Sequence, residues 1–249
     1  RCFSSRSFSP QKGPTVKAGN QDPKVGRGAY KTWFDLTILV TSHLLLLPLW
    51  LLLWGLIPLL IWLGDRGPIF YKQQRAGKNG WAFTVRKFRT MIMDADLKGP
   101  AWTTQDDPRV TRVGKLLRRT ALDELPELLN IWKREMSFVG PRALAVDEHR
   151  LLVEQIPGFE KRLQVAPGLT GLAQVYDQSD DAADKLRHDL IYVNRMSPWL
   201  DAKLMVISVR NTVGARWDQR RGKPGVPSAG QPPPAKDERH DKATKAGQE

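Results

Sequence analysis

Two adjacent carboxylates, Asp123 and Glu124, follow closely on five cations, Arg109, Arg112, Lys115, Arg118 and Arg119. That combination suits phosphorus chemistry. An ionised aspartate among guanidinium groups can attack a neutralised phosphate and form an acyl-phosphate. A neighbouring glutamate can hold a Mg2+ that offsets charge on a leaving nucleotide. The same residues also suit a purely structural role. Thr120 stands where an N-cap belongs, with Asp123 three residues later in a capping-box-like spacing; alternatively Asp123 is itself the cap and Glu124 opposes the helix dipole. On either reading a helix begins here, and Pro126 falls in its first turn, where a missing N–H costs little. A helix entrance also attracts phosphate, so the window alone does not choose between the two roles.

Three further segments offer anion-binding groups. In Met136-Ser137-Phe138-Val139-Gly140-Pro141-Arg142 the Gly-Pro pair makes a tight turn, and Arg142 presents a planar donor fork suited to phosphate. The plainer alternative is a surface arginine after a turn. Pro167-Gly168-Leu169-Thr170-Gly171 has turn glycines but no nucleotide-binding fingerprint. Lys87 and Arg89 either complete a cationic pocket or stand in solvent on an alternating segment.

The elements that must position these groups follow from periodicity. Thr120 to about Lys133 predicts a helix with Leu125, Leu128, Leu129 and Trp132 on one face. Residues 67–77 and 81–91 alternate apolar and polar side chains between turn signals and predict a β-hairpin. Residues 143–163 predict an amphipathic helix broken at Pro157-Gly158, and 184–195 and 199–213 two more, split at Ser197-Pro198. The last carries Leu200, Leu204 and Ile207 beside Lys203 and Arg210. It either lies in a membrane interface or packs on the domain.

The strongest physical signal precedes all of these. Leu36 to Leu63 has no charged side chain, and about 20 apolar residues suffice to span a bilayer. The run starts too late and is too long for a signal peptide. Lys17, Lys24, Arg27 and Lys31 precede it; Arg66, Lys72, Arg75 and Lys78 follow it. Equal basic flanks give no orientation for a span, whereas a hairpin that enters and leaves on one side accommodates them. Pro48, near the middle, breaks a helical hydrogen bond, and Pro58 offers a second bend. A re-entrant helix-break-helix is therefore expected over residues 30–64, with a single span as the alternative. Trp33, Trp50, Trp54 and Trp62 flank or punctuate the run, as suits a membrane interface.

The chain has 249 residues, with 39 Lys and Arg against 26 Asp and Glu, a formal charge of +13 that favours anionic partners. Its one cysteine, Cys2, excludes an internal disulfide. Residues 1–29 and 214–249 are polar, basic and rich in Gly, Pro or Ser, and are expected to be disordered. The remaining 65–213 is expected to be a cytoplasmic catalytic domain. The fold class is thus α/β and membrane-associated: a mostly helical domain with a small β-hairpin, a re-entrant anchor and interfacial amphipathic helices.

From about Lys31 to Val213 the chain resembles the bacterial sugar transferase family, the polyprenyl-phosphate sugar-1-phosphate transferases of small monotopic type. The resemblance rests on Phe34-Asp35, Pro48, Gly67-Pro68-Ile69-Phe70, Gln74-Arg75, Gly77 and Lys87-Phe88-Arg89-Thr90-Met91. It continues through Leu117-Arg118-Arg119-Thr120, Leu122-Asp123-Glu124-Leu125-Pro126-Glu127-Leu128, the Gly140-Pro141-Arg142 segment and the Pro167–Gly171 segment, in that order. It implies a re-entrant anchor broken at Pro48, at the cytoplasmic face of the bacterial inner membrane. It implies a two-step reaction in which Asp123 attacks the β-phosphate of a UDP-sugar, releases UMP and passes the sugar phosphate to polyprenyl (undecaprenyl) phosphate. Glu124 would bind Mg2+, and Lys87, Arg118 and Arg142 would neutralise phosphate oxygens. The implied role is the initiating step of exopolysaccharide, O-antigen or glycoconjugate synthesis. Expected partners are the donor, the acceptor and membrane lipids, with no nucleic acid. Several positions depart from the pattern. Leu47 stands where Ser usually precedes Pro48, Thr32 replaces a basic residue, Arg134 and Ala143 replace Gly and Pro, Ala166 replaces a cation, and Tyr176-Asp177-Gln178 replaces a Gly-Arg pair. The competing expectation is a membrane-tethered anion-binding protein, for lipid or nucleic acid, without catalysis.

Overall fold

The computed structural model describes residues 29–95, 107–177 and 181–214. The two terminal segments expected to be disordered, apart from Ala29 and Gly214, and Gln178 lie outside the described residues.

The apolar run folds as two helices, α1 (Ala29–Leu45) and α2 (Leu47–Asp65), joined at Leu46. Leu46 sits at φ −112°, ψ 24°, and Pro48 occupies the first turn of α2. Proline has no N–H to continue the first helix, and its fixed φ suits the start of the second. Across the bend, the Trp50 indole Nε1 and Leu46 N both donate to the Ser42 carbonyl, at 3.1 Å and 3.0 Å. The Trp50 ring also stacks on His43, with centroids 4.4 Å apart. Pro58 does not break α2, which runs through it to Asp65.

Both arms of this hairpin rest on the same domain. In α2, Ile57 and Ile61 are buried with Leu53 and Trp54 against Phe88, Leu117 and Leu125. In α1, Lys31, Asp35 and Leu39 form the buried face. The bend itself is bare, with Leu44 73% and Leu45 75% exposed. Among the described residues, α2 is the helix long and apolar enough to cross a membrane.

The expected hairpin is present. β1 (Phe70–Ala76) pairs antiparallel with β2 (Ala82–Phe88), from Phe70↔Phe88 to Ala76↔Ala82. Side chains alternate faces along a strand, so Lys87 shares a face with Phe83 and Val85, both buried. That register turns Lys87 into the domain rather than into solvent.

The helix expected from Thr120 to Lys133 is not formed as one element. α3 (Arg112–Arg119) starts earlier, capped by Thr111, whose Oγ1 accepts from Gly114 N at 2.9 Å. Thr120 closes that helix instead of opening one. Ala121 then turns through φ +54°, a 3₁₀ turn covers Leu122–Glu127, and α4 is short (Leu128–Trp132). Pro126 cannot return an N–H to Leu122, and the left-handed Ala121 interrupts the helical backbone, so the window does not run as one α-helix. Neither capping expectation holds. Thr120 is a C-cap, and the 3₁₀ turn has no side-chain cap.

A second ribbon was not expected. β3 (Ser137–Val139) and β4 (Gly168–Thr170) pair in parallel, Ser137↔Gly168 and Val139↔Thr170. The glycines of two motifs meet here. A Cβ on Gly168 would lie 2.1 Å from Gly140 N, and one on Gly140 would lie 2.4 Å from Ala166 O. Close backbone approach accounts for both glycines without any ligand.

The remaining helices are α5 (Val146–Gln155), α6 (Leu172–Tyr176), α7 (Ala182–Arg195) and α8 (Pro198–Val213). The expected break at Pro157-Gly158 is present, with Gly158 at φ +83° before a 3₁₀ turn over Phe159–Gln164. α8 packs on the domain, the second of its two alternatives. Asp201 and Leu204 are fully buried against the domain, while Trp199 (81%) and Val213 (83%) stay exposed with Val206 and Val209.

Arg134 adopts φ +64° just after α4, where the resembled family has glycine. A left-handed backbone costs an L-residue about 1–2 kcal/mol. Glycine loses about 0.5–1 kcal/mol more chain entropy on folding. Arg134→Gly should therefore stabilise the protein by about 0.5–1 kcal/mol in denaturant unfolding. A loss of stability would mean that the Arg134 side chain contributes more than the backbone strain costs.

Candidate active site

Lys87 arrives from β2, and Glu124 and Glu127 arrive from the 3₁₀ turn packed against that strand. A 3₁₀ helix has three residues per turn, so side chains three apart stack on one face. Both glutamates consequently reach Lys87. Its Nζ lies 2.6 Å from Glu124 Oε1 and 3.1 Å from Glu127 Oε1. Glu127 is buried, at 4% exposure.

Asp123 precedes Glu124 and lies within the field of both Lys87 and Arg118. Arg118 sits in the last turn of α3, where its Nε donates to Thr90 Oγ1 at 2.8 Å. Burial and the Glu124 charge push the Asp123 carboxyl up to about 6, against the pull of Lys87 and Arg118. Glu124 behaves oppositely. Burial raises it, but Lys87 and then Arg142 outweigh burial and hold it below the usual range. Burial also lowers Lys87, yet its two glutamate neighbours keep its pKa above the ordinary lysine value. Glu127 is raised by burial, with the Glu124 charge adding to it. Neighbouring carboxylates with divergent proton affinities are what a site needs if one is to attack and another to stay ionised.

A small cleft opens beside the turn, lined by Arg75, Lys87, Glu124, Glu127, Arg142 and Gly168 among others. Arg142 follows β3, and its backbone is fixed from two sides. It bridges Gly168 in the parallel ribbon, and its carbonyl accepts from Arg162 NH2 at 3.0 Å. Arg162 is itself buried and paired with Asp189 at 2.7 Å.

Of the residues singled out in the sequence, Lys87, Glu124 and Arg142 line one cleft, and Asp123 and Arg118 adjoin it without lining it. Pro48 lies apart, at the hairpin bend. Arg89 is not in this pocket. It pairs with Asp65 and ties the end of α2 to the domain. Glu127 and Arg75 were not singled out. The three-residue spacing from Glu124 marks Glu127 only once the turn is known to be 3₁₀, and Arg75 stood out only as a cation flanking the apolar run and as part of the Gln74-Arg75 motif.

The donor set fits a hard divalent cation. Among the described residues no three His, Cys, Asp or Glu side chains form a metal cage. Mg2+ at phosphate-handling sites takes only one or two carboxylates and draws its other oxygens from phosphate and water. Glu124, ionised and half-buried, with Glu127 on the same face, meets that requirement.

Residues 26–215 match the profile of the Bacterial sugar transferase family. The chain is 39% identical over 196 residues to the undecaprenyl-phosphate glucose phosphotransferase of Komagataeibacter xylinus, covering 75% of this chain and 36% of that protein. It is 40% identical over 185 residues to the exopolysaccharide production protein PSS of Rhizobium leguminosarum bv. phaseoli, covering 70% of this chain and 90% of that one. It is 38% identical over 159 residues to the UDP-glucose:undecaprenyl-phosphate glucose-1-phosphate transferase of Escherichia coli (strain K12), covering 61% of this chain and 34% of that protein. The chain thus spans about a third of its larger relatives and nearly the whole of a smaller one. The profile match runs from the start of α1 through the end of α8, and the chain belongs to the bacterial sugar transferase family.

Proposed function

We propose that the protein transfers a sugar-1-phosphate from a UDP-sugar to undecaprenyl phosphate through an aspartyl-phosphosugar intermediate. The observation that carries this reading is Asp123 within the field of both Lys87 and Arg118, next to a glutamate that Lys87 bonds and holds ionised. The names of the relatives support the donor and acceptor classes, and differ among themselves in the sugar.

In the first step an Asp123 carboxylate oxygen bonds to the donor's β-phosphorus. The bond from that phosphorus to the oxygen bridging to the α-phosphate breaks, and UMP leaves with the bridging oxygen. In the second step a phosphate oxygen of the polyprenyl acceptor attacks the same phosphorus and displaces the carboxylate. Lys87, Arg118 and Arg142 offset phosphate charge. Glu124, with Glu127 beside it, would hold a Mg2+, which supplies charge neutralisation at the phosphates when bound.

Both arms of the α1–α2 hairpin rest on one domain, which favours an anchor that enters and leaves the cytoplasmic face of the inner membrane. The bare leucines of the bend would face acyl chains, and the exposed Trp199–Val213 face of α8 would lie at the interface.

The direct test is a panel of UDP-sugars, UDP-glucose, UDP-galactose and UDP-N-acetylgalactosamine, assayed for UMP release by the full chain in detergent with Mg2+ and undecaprenyl phosphate. At least one donor should release UMP. Salt-sensitive binding of anionic lipid or nucleic acid with no donor turned over would instead favour the non-catalytic alternative.

A further inference from the structure

The reaction proposed above leaves one charged group of the cleft unused. Arg75 stands near the end of β1, where Ala76 N donates to Leu144 O at 2.9 Å. One arm of its guanidinium donates to Ala143 O at 2.7 Å. Both bonds fix the side chain against the segment that follows Arg142. Its Nε is buried and has no hydrogen-bond partner. A buried donor left unpaired is costly and calls for an explanation.

Charge in the cleft points the same way. Arg75, Lys87 and Arg142 line it against Glu124 and Glu127, and Lys87 is already shared by both glutamates. That leaves two arginines lining the cleft with no carboxylate bonded to either among the described residues. Burial and then the Arg142 charge lower the Arg75 pKa, against the opposing pull of Glu127 and Glu148. Two planar donor forks facing one space are satisfied by an anion with several acceptor oxygens.

We propose that Arg75 and Arg142 form a two-guanidinium seat for a phosphate monoester, and that its occupant is the phosphate of the departing nucleoside monophosphate. The position favours this occupant. Glu124, proposed above to hold the Mg2+ that neutralises the phosphates, lines the same cleft as the two arginines. Arg75 then acts as a specificity residue: it recognises the diphosphate of the donor and holds UMP until the acceptor takes the sugar phosphate. This inference rests on the reaction proposed above, but its test does not need turnover.

Binding of UMP, uridine and a soluble short-chain prenyl phosphate is measured by titration calorimetry on the full chain in detergent. Wild type and Arg75→Gln are compared, with Arg75→Lys as a variant that keeps the charge and can still reach Ala143 O. Arg75→Gln should bind UMP about tenfold or more weakly and leave uridine unchanged. Arg75→Lys should fall between, because an ammonium cannot reproduce the fork. Equal UMP affinity in wild type and both variants overturns the seat, as does a loss confined to the prenyl phosphate or shared equally by uridine. Should Arg75→Gln fail to fold, unchanged UMP affinity in Arg75→Lys overturns the bidentate contact. The two readings separate cleanly. A wild type that turns over donor while UMP ignores Arg75 sinks the seat alone. UMP binding that depends on Arg75, in a protein that turns over no donor, sinks the proposed reaction alone.

Discussion

Asp123→Asn is expected to remove turnover, by at least on the order of 10³-fold, and at the same time to make the protein harder to unfold at pH 8. The first effect follows from losing the proposed nucleophile, since an amide has no oxygen anion to bond phosphorus. The second follows from where the carboxylate sits. Burial and the neighbouring Glu124 charge push Asp123 up to about 6, against about 3.9 in an unfolded chain. The folded state therefore holds its proton more tightly than the unfolded state does. By linkage, stability falls as pH rises from about 4 to about 6, and the full penalty persists above that. Two pKa units correspond to about 3 kcal/mol at most, and partial exposure brings the expected gain in the neutral variant to on the order of 1–2 kcal/mol. Denaturant unfolding of both proteins at pH 5 and pH 8 checks it: the advantage of Asn should grow with pH. A variant less stable than wild type at pH 8 would mean the carboxylate is held favourably after all. The same raised affinity for a proton appears in kinetics. The logarithm of kcat/KM should fall with unit slope below about pH 6, because that ratio reports the free enzyme's essential groups.

The sequence made some of this legible and hid the rest for identifiable reasons. Elements set by local chemistry were readable. Alternation gave β1 and β2, Pro48 placed the bend beside Leu46, and Gly158 and Pro198 marked real boundaries. The central turn was not readable, because Thr111 and Thr120 both suit a cap and only the first is one. The parallel β3–β4 ribbon was hidden because its partners lie some thirty residues apart and each strand is too short to show a period. Charges were the least legible feature. Lys31 counts as a membrane-flanking cation in the sequence, yet it is buried within the domain. Arg89 reads as a pocket cation and instead secures α2. The motif resemblance named Asp123, Glu124, Lys87 and Arg142. It did not show that Lys87 is shared by two glutamates, because that depends on strand register and 3₁₀ stacking together.

Asp201→Ala should be the most destabilising single change outside the cleft, by about 3–5 kcal/mol. Asp201 is fully buried on α8. Its Oδ2 accepts from Lys31 Nζ at 2.9 Å and from the Tyr30 hydroxyl at 2.8 Å, and its Oδ1 accepts from the Tyr192 hydroxyl at 2.8 Å. Lys31 also donates to Val139 O at 2.6 Å and to Tyr192 Oη at 3.0 Å. One carboxylate thus gathers the start of α1, the end of β3, α7 and α8. Removing it takes away the carboxylate bonded to the Lys31 ammonium and leaves only the neighbouring Asp35 to balance that charge in a dry interior, which costs more than the pair contributes. The double variant Lys31→Met with Asp201→Leu should accordingly recover much of the loss, because neither charge is then buried alone. Denaturant unfolding of the two single variants and the double in detergent checks this. An Asp201→Ala protein within about 1 kcal/mol of wild type would show that water reaches Lys31. The consequence extends to the cleft. Val139 lies three residues before Arg142, so slackening at Lys31 should loosen the ribbon that holds Arg142. The donor's KM should then rise in Asp201→Ala even at temperatures where the protein remains folded. In this fold the start of α1, α8 and the end of β3, three residues before Arg142, meet at one buried ion pair, so a change at the foot of the hairpin is felt at the ribbon that carries Arg142.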